Sequence, residues 1–186
     1  MDVWINLDNL QPEVRASVVP VIDDIMVLDQ LSHDPFEDVR IEVAANEFSL
    51  SETLDFLSGD RSKYVRYMVA ANSTTSCDTL RHLSRDREDS VKLAVAENPN
   101  TPQDVLIHLA YSRNDNIREA LIYNESSPKE VFYILSKDKR TRIRLLLVDW
   151  CNTPVPILVA LAGDKSFTVR DEARTRLKKM PVVEEV

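Results

Sequence analysis

The chain has 186 residues, of which 44% are hydrophobic and 29% charged, and its formal net charge is −8 at pH 7. Its glycine count is two, and because phosphate-binding loops, dinucleotide-binding folds and tight β-hairpins need glycine at positive-φ turns, these architectures are effectively excluded. No stretch approaches the roughly 18 apolar residues of a membrane span, and the start lacks a basic segment followed by an apolar one. We therefore expect a cytoplasmic protein that does not enter a membrane.

A period of 26 residues organises the chain. A β-branched residue followed by a basic residue recurs at this spacing, in the pairs Val39-Arg40, Val65-Arg66, Val91-Lys92, Ile117-Arg118, Ile143-Arg144 and Val169-Arg170. Leucine recurs at 31, 57, 83, 109, 135 and 161, and asparagine at 46, 72, 98 and 124, with Trp150 in the next place. We predict three parts: an N-terminal capping segment or degenerate repeat at 1–26, with Val14-Arg15 as a weak copy, a repeat array at 27–177 and a tail at 178–186.

Each unit reads as two short helices. The first runs from the β-branched position to the asparagine, which we expect to close it in the left-handed conformation. The Ser/Thr positions Ser49, Thr75, Thr101, Ser127 and Thr153 then predict N-caps of a second helix, with Pro102, Pro128 and Pro154 at its first helical position. The apolar residues of that helix, for example Val105, Leu106 and Leu109, fall on one face. Neither helix can bury its apolar face alone, so the units must stack.

The segment 96–110 contains Ala-x-Asn-Pro-x-Thr-Pro followed by Leu-x-x-Leu, and it resembles the leucine-rich repeat variant family, with weaker copies over the rest of the array. The resemblance implies an all-α fold, a right-handed, HEAT-like α-solenoid with short helices, one of them often 3₁₀, and a concave binding side. We expect about five to six two-helix repeats of 26 residues. Because this period is slightly longer than the family's usual unit, we expect the first helix to be fully α. The cysteine cluster that holds an iron–sulfur centre in some members is absent, so no cofactor is expected.

The basic residues that follow the β-branched positions, from Arg40 to Arg170, form what we call the basic column, and this column has two possible interpretations. A row of guanidinium groups at regular rise could follow phosphates. An aspartate column at 34, 60, 86, 138 and 164 precedes it by six residues, however, and in HEAT-like stacks such columns pair along a ridge. We predict structural pairing here and a turn-closing role for the asparagines.

The outward face of the second helices carries the functional prediction. Read across units it holds Asp55 and Gly59, Arg81 and Arg85, Ile107 and Tyr111, Tyr133 and Lys137, then Val159 and Gly163. Arginine and tyrosine are enriched at binding hot spots. We predict a partner-binding surface formed by Arg81, Arg85, Ile107, Tyr111, Tyr133 and Lys137. A surface that merely tolerates these residues and a self-association contact are the alternatives.

The densest basic run contains Lys139, Arg140 and Arg142. It indicates either an exposed loop or a contact with nucleic acid or an acidic partner. Charge is also uneven along the chain, since residues 1–60 carry 14 acids and two arginines, a net of −12, and residues 61–186 carry 17 acids and 21 bases, a net of +4. Head-to-tail self-association is therefore a further option.

Enzymatic and metal-binding patterns are weak. His82 and His108 occupy equivalent positions of adjacent repeats, but no further metal ligand recurs beside them. Neither Cys77 nor Cys151 has the spacing to a histidine or to a metal ligand that a catalytic or metal site needs, so we predict that both cysteines are buried apolar residues. Asp149 and Trp150 resemble residues that HEAT-like DNA glycosylases use, but neighbours on a helix point about 100° apart. We predict a non-enzymatic protein-binding scaffold or adaptor without catalytic or metal-binding residues. A nucleic-acid-binding solenoid is the first alternative and a glycosylase-like enzyme the second.

Overall fold

The computed structural model describes residue 7 and residues 10–180, so the predictions for residues 1–6, 8, 9 and 181–186 lie outside the described residues. Every regular element in the described part is a helix. The chain forms two compact units, Met1–Pro102 and Gln103–Val186. We call these the N-terminal and the C-terminal unit.

The N-terminal unit stacks pairs of short helices. Its helices are α1 (Pro12–Val18), a 3₁₀ turn (Val19–Val21), α2 (Ile25–Ser32), α3 (Glu37–Ala45), α4 (Ser51–Ser58), α5 (Lys63–Ala71), α6 (Cys77–Leu83) and α7 (Asp89–Glu97). The first helices α1, α3, α5 and α7 pack in series, and the second helices α2, α4 and α6 pack in a parallel series. Each second helix also contacts the first helix that follows it. Two layers of helices therefore enclose the core of this unit.

The C-terminal unit repeats the same arrangement. Its helices are α8 (Gln103–Leu109), α9 (Asp115–Tyr123), α10 (Lys129–Leu135), α11 (Thr141–Asp149), α12 (Val155–Leu161) and α13 (Phe167–Lys179). The first helices α9, α11 and α13 pack in series, and α8 packs on α10. From α3 onward, first helices begin 26 residues apart along the chain, as do second helices from α4 onward. The predicted all-α array of two-helix repeats is confirmed, and its first helices are α-helical as expected.

The core consists of the predicted apolar columns. Val105, Leu106 and Leu109 are 5%, 0% and 3% exposed, and the β-branched column from Val39 to Val169 is buried throughout. Full burial of one such side chain contributes about 1.5 to 3 kcal/mol. Since each short helix has few internal hydrogen bonds, packing between repeats supplies most of its stability.

The asparagine column joins adjacent repeats, and its predicted left-handed conformation is wrong. None of the described residues has a positive φ, and Asn72 is extended, with φ −68° and ψ 129°. Its Nδ2 donates to the carbonyls of Ala44 and Asn46 in the preceding repeat, both at 2.9 Å, while its Oδ1 accepts from the Thr74 amide at 2.9 Å. One side chain thus satisfies the end of its neighbour's first helix and begins its own turn.

Trp150 interrupts the asparagine column, and in the next repeat an arginine makes the hydrogen bonds that asparagine makes elsewhere. Arg176 lies 26 residues after Trp150, and its Nη1 donates to the carbonyls of Val148 and, at 2.6 Å, Trp150. Its Nη2 donates to the Cys151 carbonyl at 2.9 Å. The longer side chain therefore makes the same connection to the preceding repeat that asparagine makes elsewhere.

The Ser/Thr column does not cap the second helices, contrary to the prediction. Helix α6 begins at Cys77, and its N-cap is Ser76, whose Oγ accepts from the Thr79 amide at 3.1 Å. The Thr75 hydroxyl points backwards and donates to the Val69 carbonyl at 2.5 Å. Ser49, Thr101 and Ser127 make the equivalent bond at 2.6 to 2.7 Å. These hydroxyls therefore satisfy the last turn of the first helix. The prolines at 102, 128 and 154 lie just before the second helix rather than in its first position.

The predicted pairing of the arginine and aspartate columns is confirmed. Arg40 Nε donates to Asp60 Oδ2 at 2.6 Å and Nη2 to Oδ1 at 3.2 Å, while Nη1 donates to the Asp34 carbonyl at 2.7 Å. The same pairs form between Arg15 and Asp34, Arg66 and Asp86, Arg118 and Asp138, and Arg144 and Asp164. Each of these arginines thereby connects the start of its own repeat to the start of the next. These five arginines are structural residues, so they are not available to follow phosphates. At the other two positions of the basic column, Lys92 pairs with Asp89 and Arg170 donates to the Asp164 carbonyl.

Burial and ion pairing shift the pKa values of these aspartates in opposite directions. Burial favours the neutral form of Asp60, but hydrogen bonds from Arg40 and the Ser62 amide, with the arginine's charge, outweigh it and lower the pKa. The pKa values of Asp86 and Asp164 are lowered by the same balance. Ionised aspartates therefore stabilise the folded chain.

Candidate functional site

The predicted outward face of the second helices is exposed in both units. In the N-terminal unit Arg81 and Arg85 are exposed, and Arg81 Nη1 lies 3.3 Å from Asp78 Oδ1. In the C-terminal unit Tyr111 and Tyr133 are 71% and 56% exposed. Lys137 is exposed and Ile107 half-buried. We call Ile107, Tyr111, Tyr133 and Lys137 the tyrosine surface.

A basic groove of about 500 Å³ opens on one side of this surface. Tyr111 and Tyr133 line it together with Arg113, Lys137 and Lys139. Asp138 also lines it, but its carboxylate accepts from Arg118 at 2.5 Å. Arg113, Lys137 and Lys139 therefore line the same groove as the two tyrosine rings.

An apolar groove of about 560 Å³ lies on the other side of the same tyrosines. Ile107, Ile157, Pro154 and Pro156 contribute to its lining, as do Tyr111, Tyr133, Ile134, Lys129 and Glu130. The structure thus brings Ile107, Tyr111 and Tyr133 together as predicted. Sequence reasoning missed Pro156 and Ile157 and assigned Pro154 only to the helix start. The sequence signal that could have identified them is the run Pro-Val-Pro-Ile at the start of α12, because the partly exposed first turn of this helix has no charged residue.

Lys137 is held against Tyr133. Its Nζ donates to Tyr133 Oη at 2.5 Å and lies 3.9 Å from the ring centroid. The hydrogen bond from Lys137, supported by its positive charge, lowers the pKa of Tyr133. Lys137 follows the Ser136 cap of α10, and its amide donates to the Ile134 carbonyl at 3.1 Å, so the turn after the helix places it four residues from Tyr133 on the same side. The ammonium group is therefore positioned at the rim of the basic groove before any ligand arrives.

Two arginines of the basic run form exposed ion pairs with acids of the preceding first helix. Arg140 Nε lies 3.0 Å from Asp115 Oδ2, and Arg142 Nη2 lies 2.6 Å from Glu119 Oε2. Lys139 is exposed and makes no ion pair within the described residues. Of the three residues predicted as a nucleic-acid or acidic-partner contact, only Lys139 lines the basic groove.

The remaining candidate residues do not form a site. Both cysteines are exposed free thiols, so their predicted burial is wrong. The cause is their location, Cys77 opening α6 and Cys151 following α11, where the chain turns at the surface. Trp150 caps the end of α11 and packs edge-to-face on Tyr123, with centroids 5.1 Å apart. Among the described residues no group of three or more His, Cys, Asp or Glu side chains could hold a metal ion.

Among solved structures, the fold is similar to one described as a leucine-rich repeat variant with a novel repetitive protein structural motif. The TM-score is 0.69 at 23% sequence identity, and the match covers 91% of this chain and 68% of the other. The chain has the leucine-rich repeat variant fold. The description of that other protein names its repetitive structure and no enzymatic activity.

Comparison with protein-family models finds no match. Comparison with curated proteins finds none either. No helix in the described part of the chain is long and apolar enough to cross a membrane. The leucine-rich repeat variant fold is thus established by structure, and function has to be argued from the residues on its surface.

Proposed function

We propose that this chain is a non-enzymatic scaffold or adaptor that binds another protein through the exposed face of its second helices. The observation that carries the proposal is the pair of exposed tyrosines that line both grooves of the C-terminal unit. Exposed tyrosines that adjoin apolar and cationic groups have the composition of a binding hot spot, because their rings provide large contact areas at little cost in conformational entropy.

The backbone beneath these tyrosines is fixed by the repeat. Buried Leu106, Leu109, Phe132 and Leu135 anchor α8 and α10, and the Arg118–Asp138 pair holds the turn after α10. A rigid backbone lowers the entropic cost of binding. Concentration of function on such a face is typical of stacked helical repeats, which present variable residues on a constant frame.

Arg81 and Arg85 of the N-terminal unit belong to the same proposal as further partner contacts. Arginine is enriched at hot spots, and both side chains are exposed. A cytoplasmic location is also part of the proposal. Its support is the exposure of the free thiols of Cys77 and Cys151, which reducing compartments preserve.

Nucleic acid is the second candidate partner, and Lys139 beside two exposed tyrosines favours it, since bases stack on aromatic rings next to cationic groups. The ion pairs of Arg140 and Arg142 oppose it because they occupy two of the three basic residues of the run.

Affinity capture from the native host separates these candidates when it is repeated with nuclease treatment. A protein partner survives nuclease, is retained by Gln103→Ala and is lost with Tyr111→Ala. Gln103 is a suitable control because it is exposed on the same helix, α8, and lines neither groove. Capture that disappears on nuclease treatment, or that is equal for both variants, would contradict the proposal.

A further inference from the structure

Three cationic groups of the basic groove take no part in ion pairs among the described residues. Arg113, Lys137 and Lys139 make no ion pair within the described residues, and all three are exposed. The one carboxylate that lines this groove, Asp138, is already held by Arg118. Asp115, whose pKa is lowered by the hydrogen bond from Arg118 and by the charges of Arg140 and Lys139, lies nearby. The groove therefore presents about three positive charges that are only partly compensated.

The apolar groove has a different charge balance. Its two charged lining residues, Lys129 and Glu130, have opposite signs, and the other lining residues are isoleucines, prolines and the two tyrosines. Apolar side chains on a ligand would gain there by leaving water. Because Tyr111 and Tyr133 line both grooves, a single extended ligand can contact the apolar and the basic groove at the same time.

From this charge pattern we infer that the tyrosine surface recognises an acidic linear peptide segment, with an apolar side chain in the groove of Ile107 and Ile157 and adjacent carboxylates on Arg113, Lys137 and Lys139. The inference rests on the proposed function and specifies the partner's chemistry. The apolar and the basic groove lie on opposite sides of Tyr111 and Tyr133. A peptide with an apolar residue next to carboxylates would therefore match both grooves. The Lys137 ammonium, held by Tyr133, is already positioned for one of them.

A peptide fits these observations better than a nucleic acid. A single strand needs cationic groups along its whole backbone, but the apolar groove has no net positive charge, and Arg140 and Arg142 are engaged by Asp115 and Glu119. An acidic peptide needs positive charge at one end of the site only, which is where the structure has it.

The test is selection of a random twelve-residue peptide display library on the full chain, followed by affinity measurements with synthetic copies of the selected peptides. We expect the selected peptides to share an aliphatic or aromatic residue next to two or more Asp or Glu residues. Replacing Arg113, Lys137 and Lys139 together by Gln should weaken binding by about tenfold or more, and Tyr111→Ala by a similar factor. Affinity should also fall as salt is raised from about 50 to 300 mM.

The matched control is Arg61→Gln, Lys63→Gln and Arg87→Gln, which removes three exposed charges from the N-terminal unit. This variant should bind like the original chain, and circular dichroism should give both triple variants the same thermal midpoint as the original chain. Selected peptides without an acidic preference, an unchanged affinity in the groove variant, or an equal loss in the control would overturn the inference. Failure to select any peptide would also overturn it, while nuclease-resistant capture that depends on Tyr111 would leave the proposed function standing. Tighter binding of a single-stranded oligonucleotide through the same residues would replace the peptide by a nucleic acid.

Discussion

Removing one carboxylate of the arginine–aspartate series should destabilise the chain far more than removing an exposed one. In the Arg40–Asp60 pair the side chains are 7% and 9% exposed. Asp60→Ala deletes two hydrogen bonds to the guanidinium and one to the Ser62 amide. It also leaves the arginine buried without a counter-charge. Breaking a buried ion pair from one side costs about 3 to 5 kcal/mol.

The comparison variant is Asp78→Ala, because Asp78 pairs with Arg81 while its own side chain is 94% exposed. That change should be nearly silent. Chemical denaturation followed by far-ultraviolet circular dichroism measures both free energies of unfolding. The double variant Arg40→Met, Asp60→Leu should recover much of the loss, since no unpaired charge is then buried. A cost below about 1 kcal/mol for Asp60→Ala would refute the reasoning, because this is the value of a solvated surface pair.

Three further predictions follow from the fold and its charge. Leu109→Ala should cost about 2 to 5 kcal/mol of unfolding free energy, whereas Gln103→Ala should be nearly neutral; equal losses in denaturation experiments would contradict the assignment of the buried face. Stability should be full above about pH 4, where the unfolded aspartates ionise, and fall as the pH drops through the lowered pKa values of Asp60, Asp86 and Asp164; denaturation midpoints that stay constant to about pH 2 would exclude this linkage. If the acidic first 60 residues bind the basic remainder of a second molecule, light scattering should show association at about 20 mM salt that disappears at about 300 mM; a constant monomer mass would exclude it.

The helix pairs and their buried face followed from the sequence because apolar periodicity directly reports burial. Val105, Leu106 and Leu109 recur with helical spacing, and all three are buried in the structure. The arginine–aspartate pairing also followed from the sequence, because the two oppositely charged columns lie six residues apart and recur at the same period.

The asparagine and Ser/Thr columns were harder to interpret because their side chains donate hydrogen bonds to carbonyls at the ends of other helices rather than to the neighbouring backbone. Thr101, followed by Pro102 and Asp104, has the pattern of an N-cap, yet its hydroxyl donates to the Val95 carbonyl of the preceding helix. Asn72 was assigned to a local turn, although its amide donates to carbonyls 26 and 28 residues earlier. Nothing local marks Arg176 as the replacement for an asparagine; its place in the 26-residue register is the one signal.

The candidate site was predictable in composition but not in shape. The outward positions of Tyr111, Tyr133 and Lys137 follow from helical geometry, and the structure agrees. The apolar groove depends on where α12 lies relative to α8 and α10, which brings Pro156 and Ile157 to the tyrosines. That placement is set by side-chain packing between repeats, which periodicity does not encode.

The most direct test of the account is the affinity of the captured partner protein for Tyr111→Ala, measured by titration calorimetry beside the original chain. We expect a loss of about 2 kcal/mol or more, which is about a thirtyfold weaker affinity, with an unchanged thermal midpoint, because Tyr111 is 71% exposed and contributes little to the core. An unchanged affinity, or a loss that appears only together with a lower thermal midpoint, would contradict the claim that this surface binds the partner.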